Sequence, residues 1–430
     1  MRKWLALWML LAGAGQAAPL SLDDAVRIAL AQRPELRAAA DELAMKQAEW
    51  RSRQAELRPA ASVSVFGVTQ NTGMIETTTP HVMPTFYANL PPGTVLDADV
   101  MAMWPLYTGG RLEHQVAGAL VAAHIAEDEA EAEVESVVRE VRKGYLAVLE
   151  AQAELQVRTA AVTEETESAR VARLRFQTGK AAAVEASRAE TELADAQQAK
   201  NDATAQVDQA MADLELALAT PQGSELSLDG KLPAVAEVPE LASLQAAAQR
   251  QRPDLRAARL QGAVAEAELG TAEGAYRPEV ALVGMGQSTS VAGQGLQGGT
   301  SLAVTASVPL FDGGQRHQQV LAAKAHRDKQ WALAAAAAQG VERDVQRAWV
   351  AVKAQQANLD VSEGGLRAAE ETDRIAHLRE NLGAGIQLEV LDAEAALVRA
   401  RLNRLKALYG YHAALADLDW SVGQARQAAP

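Results

Sequence analysis

Trp104-Pro105-Leu106-Tyr107-Thr108-Gly109-Gly110 returns as Val308-Pro309-Leu310-Phe311-Asp312-Gly313-Gly314, 204 residues later. Gly179 returns as Gly383 at the same offset. Upstream, Arg33-Pro34-Glu35-Leu36-Arg37 returns as Arg252-Pro253-Asp254-Leu255-Arg256, and Arg58-Pro59 as Arg277-Pro278, both 219 residues on. The two offsets differ by 15 residues, lost between Pro278 and Pro309. One plan is therefore written twice, in repeats spanning 18–220 and 240–420 and joined by a linker at 221–239. An internal repeat outranks every local signal and has to be read first.

Just before each Gly-Gly step the sequence alternates. Leu96, Ala98, Val100, Ala102, Trp104 and Leu106 interleave with Asp97, Asp99, Met101 and Met103. In the second repeat Leu302, Val304, Ala306, Val308 and Leu310 interleave with Ser301, Ala303, Thr305 and Ser307. A period of two predicts strands, within 60–106 and 279–310, with one apolar and one polar face. A soluble amphipathic sheet and an outer-membrane barrel both fit that pattern. Trp104, Tyr107, Tyr276 and Phe311 at one end of the strands favour the barrel, because aromatics gather where lipid meets water. Asn71–Pro92 and Gly286–Thr300, rich in Gly, Ser, Thr and Pro, read as loops at the other end.

After each Gly-Gly the period changes. Arg111 to Phe176 holds no proline, so a helix of about 100 Å is predicted at 1.5 Å per residue. Val134, Val141, Val148, Leu155 and Val162 fall seven apart, and so do Ala123, Ala130, Val137, Gly144 and Ala151. These are the two seam positions of a left-handed coiled coil. Val345, Val352, Leu359 and Leu366 keep the spacing in the second repeat. Glycine turns at 178–180 and 382–385 lead into return helices, so the helical parts are 111–219 and 315–418.

Residues 1–17 read as a signal peptide: Arg2 and Lys3, an apolar run from Trp4 to Leu11, and the cleavage signature Gly15-Gln16-Ala17. A membrane anchor is the alternative, but that run is too short to span. The chain has no cysteine, which excludes disulfides and thiolate chemistry. A net charge of −14 argues against nucleic acid as a partner. The seven histidines are scattered, and neither a nucleophile motif nor a phosphate loop occurs, so we expect no catalysis, no cofactor and no resident metal. Met101 and Met103 on the polar strand face, with His81 and Met83 nearby, suggest a path for a soft metal or simply filled space.

The duplicated halves, the Pro-Leu-aromatic-x-Gly-Gly step, the turn at Arg175-Phe176-x-x-Gly179, and Gly383 through Leu388-Glu389-Val390-Leu391-Asp392-Ala393-Glu394 together resemble the outer-membrane efflux protein family, the TolC-like channels. The resemblance implies a mainly α protein with a membrane β-barrel. It would be a homotrimer whose 12-stranded barrel, four strands from each chain, continues into a tunnel of 12 helical rods. It implies the outer membrane of a Gram-negative bacterium, with the tunnel extending into the periplasm. Its partners would be outer-membrane lipid, a periplasmic adaptor (membrane fusion protein) and an inner-membrane pump of RND, ABC or MFS type. The function implied is the passive exit duct of tripartite efflux or type I secretion.

The same resemblance places an acidic ring at the periplasmic gate on Glu389 and Asp392, although both would also serve as solvated helix acids. In the first repeat their mates are Glu185 and Arg188, so only the second could present a doubled charge. Adaptor-contact turns fall on Thr178, Gly179, Lys180, Leu382, Gly383 and Ala384. The barrel–tunnel junction falls on Pro105, Gly109, Gly110, Pro309, Gly313 and Gly314. The Tyr and Arg side chains that lock the family's closed state correspond to Glu380 and Gly385, so a lock here needs other polar pairs. Two rivals remain open on sequence: a periplasmic coiled-coil adaptor, and a structural coiled-coil protein without a pore.

Overall fold

The computed structural model describes residues 19–70, 93–179, 181–224, 226–232, 235, 238–291, 295–382 and 384–426. The expected signal segment, residues 71–92 with His81 and Met83, and Lys180 and Gly383 of the expected turns lie outside them. Each repeat contributes two short helices, two strands and two long helices. In order these are α1 (Leu22–Gln32), α2 (Pro34–Ala55), β1 (Ala60–Gln70), β2 (Gly93–Tyr107), α3 (Arg111–Gln177) and α4 (Ala183–Leu218). The second set is α5 (Leu241–Gln251), α6 (Pro253–Gly274), β3 (Glu279–Val291), β4 (Gly295–Ser307), α7 (Gln315–Asn381) and α8 (Gln387–Val422). Every helix boundary of the second repeat equals its mate's plus 219 before the strands and plus 204 after them. Among the described residues no helix is long and apolar enough to cross a membrane.

The chain divides into two compact units. One comprises Met1–Ala40, Asp128–Arg256 and Ala336–Pro430; the other comprises Asp41–Glu127 and Ala257–Ala335. The first contains the same core twice. Ala29 on α1, Val137, Val141 and Val148 on α3, and Leu214 and Leu218 on α4 are buried together. Their mates Ala248, Val341, Val345, Val352, Leu418 and Val422 are buried together in the second repeat. The valines are the predicted seam, and Gly144 lets Leu214 of α4 sit within 3.6 Å of where a Cβ would stand. Burying a valine removes about 1.5–3 kcal/mol of apolar exposure, so the heptad positions hold the long helices to their neighbours.

The repeated Arg-Pro-acid-Leu motif now has a physical reason. Proline starts α2 and α6, where its missing N–H is not needed. The arginine before it is buried and turns back to the long helix: Arg33 pairs with Glu140 at 2.5 Å, and Arg252 pairs with Asp344 at 3.3 Å. Glu140 and Asp344 are themselves 204 apart. A second matched pair fixes each start. Tyr145 donates from its hydroxyl to the Leu20 carbonyl at 2.9 Å, and its mate Trp349 donates from Nε1 to the Pro239 carbonyl at 3.1 Å.

The other unit is built on a four-stranded antiparallel sheet in the order β1-β2-β3-β4. Direct partners across it include Val63↔Val100, Ala102↔Gly284 and Gly284↔Leu302. These put Val63, Val65, Val100, Leu302 and Val304 on one face, all exposed. Asp97, Asp99, Met101, Met285, Gln287 and Thr289 occupy the other, where Thr289 donates to Asp97 at 2.7 Å. The predicted parity is therefore observed, and Met285 stands directly opposite Met101.

Three readings are corrected. Gly286–Thr300 is not an open loop: β3 and β4 stay paired as far as Val291↔Gly295. Its glycines and serines suggested a turn, but ladder hydrogen bonds do not depend on side chains. Alternation past Ser307 does not extend β4, whereas β2 runs on to Tyr107 because Pro105 and Tyr107 have β3 as a partner. Finally, helix α8 continues past 418 to Val422 and is capped by Gly423 at φ +79°. The following residues fold back, with Ala425 buried and Gln424 donating its backbone N–H to the Asp419 carbonyl at 2.8 Å.

Candidate functional site

The strand-to-helix step is a capped turn. Gly109 and Gly110 have φ +68° and +86°; Gly313 and Gly314 have +69° and +89°. Side chains are strained in that left-handed region, which explains the double glycine. The variable residue of the motif caps the helix. Leu112 donates its backbone N–H to Thr108 Oγ1 at 3.3 Å, and Gly314 and Arg316 donate theirs to the Asp312 carboxylate at 3.0 Å. The Arg316 side chain bonds Asp312 as well, and these interactions lower its pKa to about 2. Sequence reading missed these caps, although Thr and Asp ahead of a long helix are a cap signal.

The two steps differ in their surroundings. Gly109 lies against the end of α6: a Cβ there would meet the Gly274 carbonyl oxygen at 2.6 Å and Arg277 Cβ at 2.7 Å. Arg277 also donates to the Gly109 carbonyl at 3.1 Å. At Gly313 none of the described residues would come within 4 Å of such a Cβ. Leu310 and Phe311 are 92% and 90% exposed, against 43% for Tyr107, the mate of Phe311. Arg58, the mate of Arg277, is exposed, and α2 buries no residue while its mate α6 buries Leu255, Ala257, Ala265 and Leu269.

The second candidate region is the pair of hairpin tips. Gly179 has φ +71° and open space around it. Thr178 donates from its hydroxyl to the Leu174 carbonyl at 3.0 Å. Leu382 and Ala384 close the second turn through backbone bonds to Leu378 and Arg379. Leu174, Phe176 and Val184 at one tip, and Leu378, Leu382, Ile386 and Leu388 at the other, are exposed. Of the two predicted gate acids, Asp392 is exposed, and Glu389 is ion-paired with Arg379 at 3.2 Å. Glu380 forms an ion pair with Arg175 at 2.6 Å and so ties the α3 tip to the α7 tip. Among the described residues no three His, Cys, Asp or Glu side chains are placed to hold a metal ion.

This is the fold of the TolC-like outer-membrane channels. Residues 25–220 and 244–424 match the family described as outer membrane efflux protein, one segment for each repeat, and the chain belongs to that family. Its fold is similar to that of VceC from Vibrio cholerae, with 17% identity, TM-score 0.80, and 94% of this chain and 96% of that one covered. It is equally similar to the outer-membrane channel OprN, with 20% identity, TM-score 0.80 and coverage of 94% and 90%. The open state of the MtrE channel from Neisseria gonorrhoeae gives 22% identity, TM-score 0.78 and coverage of 94% and 88%. No curated protein sequence matches the chain.

Proposed function

We propose that three copies close around a common axis into a duct through the outer membrane, with the paired helices forming a tunnel into the periplasm. The duct would be the passive exit of a tripartite efflux or secretion system energised by an inner-membrane pump. The observation that carries this reading is the inequality of the two strand-to-helix steps. What α6 does for Gly109, none of the described residues does for Gly313, and the free end of α2 is the matching surface. A second copy supplies it by the same geometry. The sheet supports the same answer, since β1 and β4 are its unpaired edges among the described residues and an open edge cannot sit in hydrocarbon. Two copies would make eight strands, a barrel that its own side chains fill; three leave a bore.

In this assembly Pro105, Gly109, Gly110, Pro309, Gly313 and Gly314 form the barrel–tunnel junction. Thr178, Gly179, Lys180, Leu382, Gly383 and Ala384 are the turns offered to the adaptor, and the exposed aliphatic side chains around them supply the contact. Glu389 and Asp392 from three chains line the entrance and favour cations. The Arg175–Glu380 pair holds the tips together in the closed state.

The test is conductance of the purified protein in planar bilayers, alongside heat-modifiable trimers in outer-membrane fractions. The expected result is a trimer that conducts weakly at rest and more strongly in Arg175→Ala. A monomer, or a trimer without conductance in either form, would overturn the reading.

A further inference from the structure

The two hairpins carry one polar pair at the same place. In the first, Arg173 on α3 pairs with Glu190 on α4 at 2.6 Å, and both side chains are about half exposed. Their mates 204 residues on are His377 and Glu394, whose Nε2 and Oε1 lie 3.2 Å apart. The second pair has been changed in three ways. Arginine, which keeps its charge at any physiological pH, is replaced by histidine. The glutamate is buried, with its side chain 7% exposed. Ala169, buried in the first hairpin, is replaced by Asp373, whose Oδ1 lies 3.7 Å from the same imidazole nitrogen.

Glu394 also faces acids from both hairpins. Glu165 and Glu164 on α3 and Glu380 and Asp373 on α7 act on it, and Glu192 on α4 acts in turn on Glu165. Two arginines that could offset these acids pair with other carboxylates: Arg175 with Glu380, and Arg401 with Glu164 at 3.7 Å. Glu394 Oε2, Glu165 Oε2 and Asp373 Oδ1 are all buried without a hydrogen-bond partner among the described residues. Buried carboxylate oxygens left bare are costly when charged and tolerable when protonated.

We infer that Glu394, with His377, Asp373 and Glu165, is a proton-binding latch between the two hairpins, holding the tips together while protonated and releasing them when the proton leaves. Burial first, and then the charges of Glu165, Asp373, Glu164 and Glu380, raise the Glu394 pKa from 4.5 to about 8 in the packed state. With the tips apart the side chain is solvated and its pKa falls toward the ordinary value. The packed state therefore binds the proton more tightly. Its advantage is complete below about pH 4.5, declines as pH rises to about 8, and is constant above that. For one proton the closed-to-open ratio changes by up to about tenfold per pH unit in this window. The latch rests on the reading of the tips as a gate, so its test includes readouts that need no conductance.

The chain lacks cysteine, so Thr178→Cys with Leu382→Cys in the full-length trimer gives one spin-label pair per protomer. The distance between labels and the infrared band of protonated carboxyl groups are followed from pH 5 to 9, with open probability measured in parallel. The expected result is a carboxyl band that titrates near 8 and is absent from Glu394→Gln, together with labels that separate as that band is lost. Glu394→Gln stays neutral and should keep its tips together at pH 9. His377→Arg recreates the first hairpin's fixed pair and should flatten the pH response likewise. A Glu394 band titrating near 4.5, or tip separation that follows pH equally in wild type and Glu394→Gln, would overturn the latch. If the labels respond as expected but no variant conducts, the latch stands and the duct reading fails.

Discussion

Replacing Gly109 and Gly313 by alanine separates contacts made within one chain from contacts made between copies. Both residues sit at nearly the same positive φ, +68° and +69°. Alanine in that region costs about 1–2 kcal/mol whatever surrounds it. At Gly109 the new methyl group would also stand 2.6 Å from a backbone oxygen and 2.7 Å from the stem of Arg277. Neither is a flexible tip that can swing away, so overpacking adds about 1–3 kcal/mol. The expected total for Gly109→Ala is about 2–5 kcal/mol, the sum of strain and overpacking. At Gly313 none of the described residues of the same chain stands in the way. In the proposed trimer, however, the neighbour's Ala55 and Arg58 would occupy the positions that Gly274 and Arg277 take around Gly109. Gly313→Ala should then destabilise the trimer as much as Gly109→Ala does. Gly179→Ala, at φ +71° with open surroundings, provides the strain-only reference. The assay is loss of the heat-modifiable trimer band as a function of temperature for the three variants. If Gly313→Ala falls with Gly179→Ala and not with Gly109→Ala, the proposed packing of one copy's turn on the next copy's α2 is wrong.

Arg58→Ala extends that logic: it should weaken trimers while far-ultraviolet circular dichroism keeps the helical signal, since Arg58 is exposed in the single chain. Tyr145→Phe removes the hydroxyl whose one hydrogen is shared between the Leu20 carbonyl and the Asp229 carboxylate, 2.9 and 2.8 Å away. Unsatisfied partners of this kind cost about 1–3 kcal/mol, which a urea midpoint will show. Arg252→Met leaves Asp344 without its partner and uncovers the Trp420 ring, 5.0 Å from the guanidinium. The Asp344 and Asp254 carboxylates are partly solvated. The expected loss is therefore about 1 kcal/mol from the ion pairs plus the lost packing on Trp420, and trimer thermal stability should fall modestly. Glu389→Ala with Asp392→Ala should reduce cation selectivity and block by divalent cations in bilayers, and unchanged selectivity would remove the acidic ring.

The fold was legible because its signals are long and come twice. Heptads in α3 and α7, alternation in β2 and β4, and Gly-Gly steps at equal offsets support each other, and the strand faces have the predicted parity. The expectations that missed are those in which a local signal competes with a partner that the sequence does not display. Gly286–Thr300 carries turn residues yet pairs in register, whereas Val308–Leu310 alternates but has no strand among the described residues to pair with. The site was only half legible. The turn glycines are read from their equal offset in the two repeats, whereas the choice of Glu389 and Asp392 rests on the family resemblance. The Arg175–Glu380 tie and the His377–Glu394 pair cannot be read from the sequence, because each joins elements whose approach only the packing determines.

The comparison of repeat mates also explains where the two halves were free to diverge. Residues that pack the same surroundings in both repeats kept their chemistry: Arg33 with Arg252, Glu140 with Asp344, Val141 with Val345. Mates whose neighbours differ were not held together. Ala169 and Asp373, Arg173 and His377, and Phe176 and Glu380 all lie in the last turns before the tips. The proposed ring of alternating repeats needs its walls alike so that they close, but not its tips. If one kind of hairpin is to move while the other stays, the difference has to be concentrated where these substitutions fall. Under the proposed latch the first hairpin carries a fixed ion pair beside alanines, and the second carries the proton.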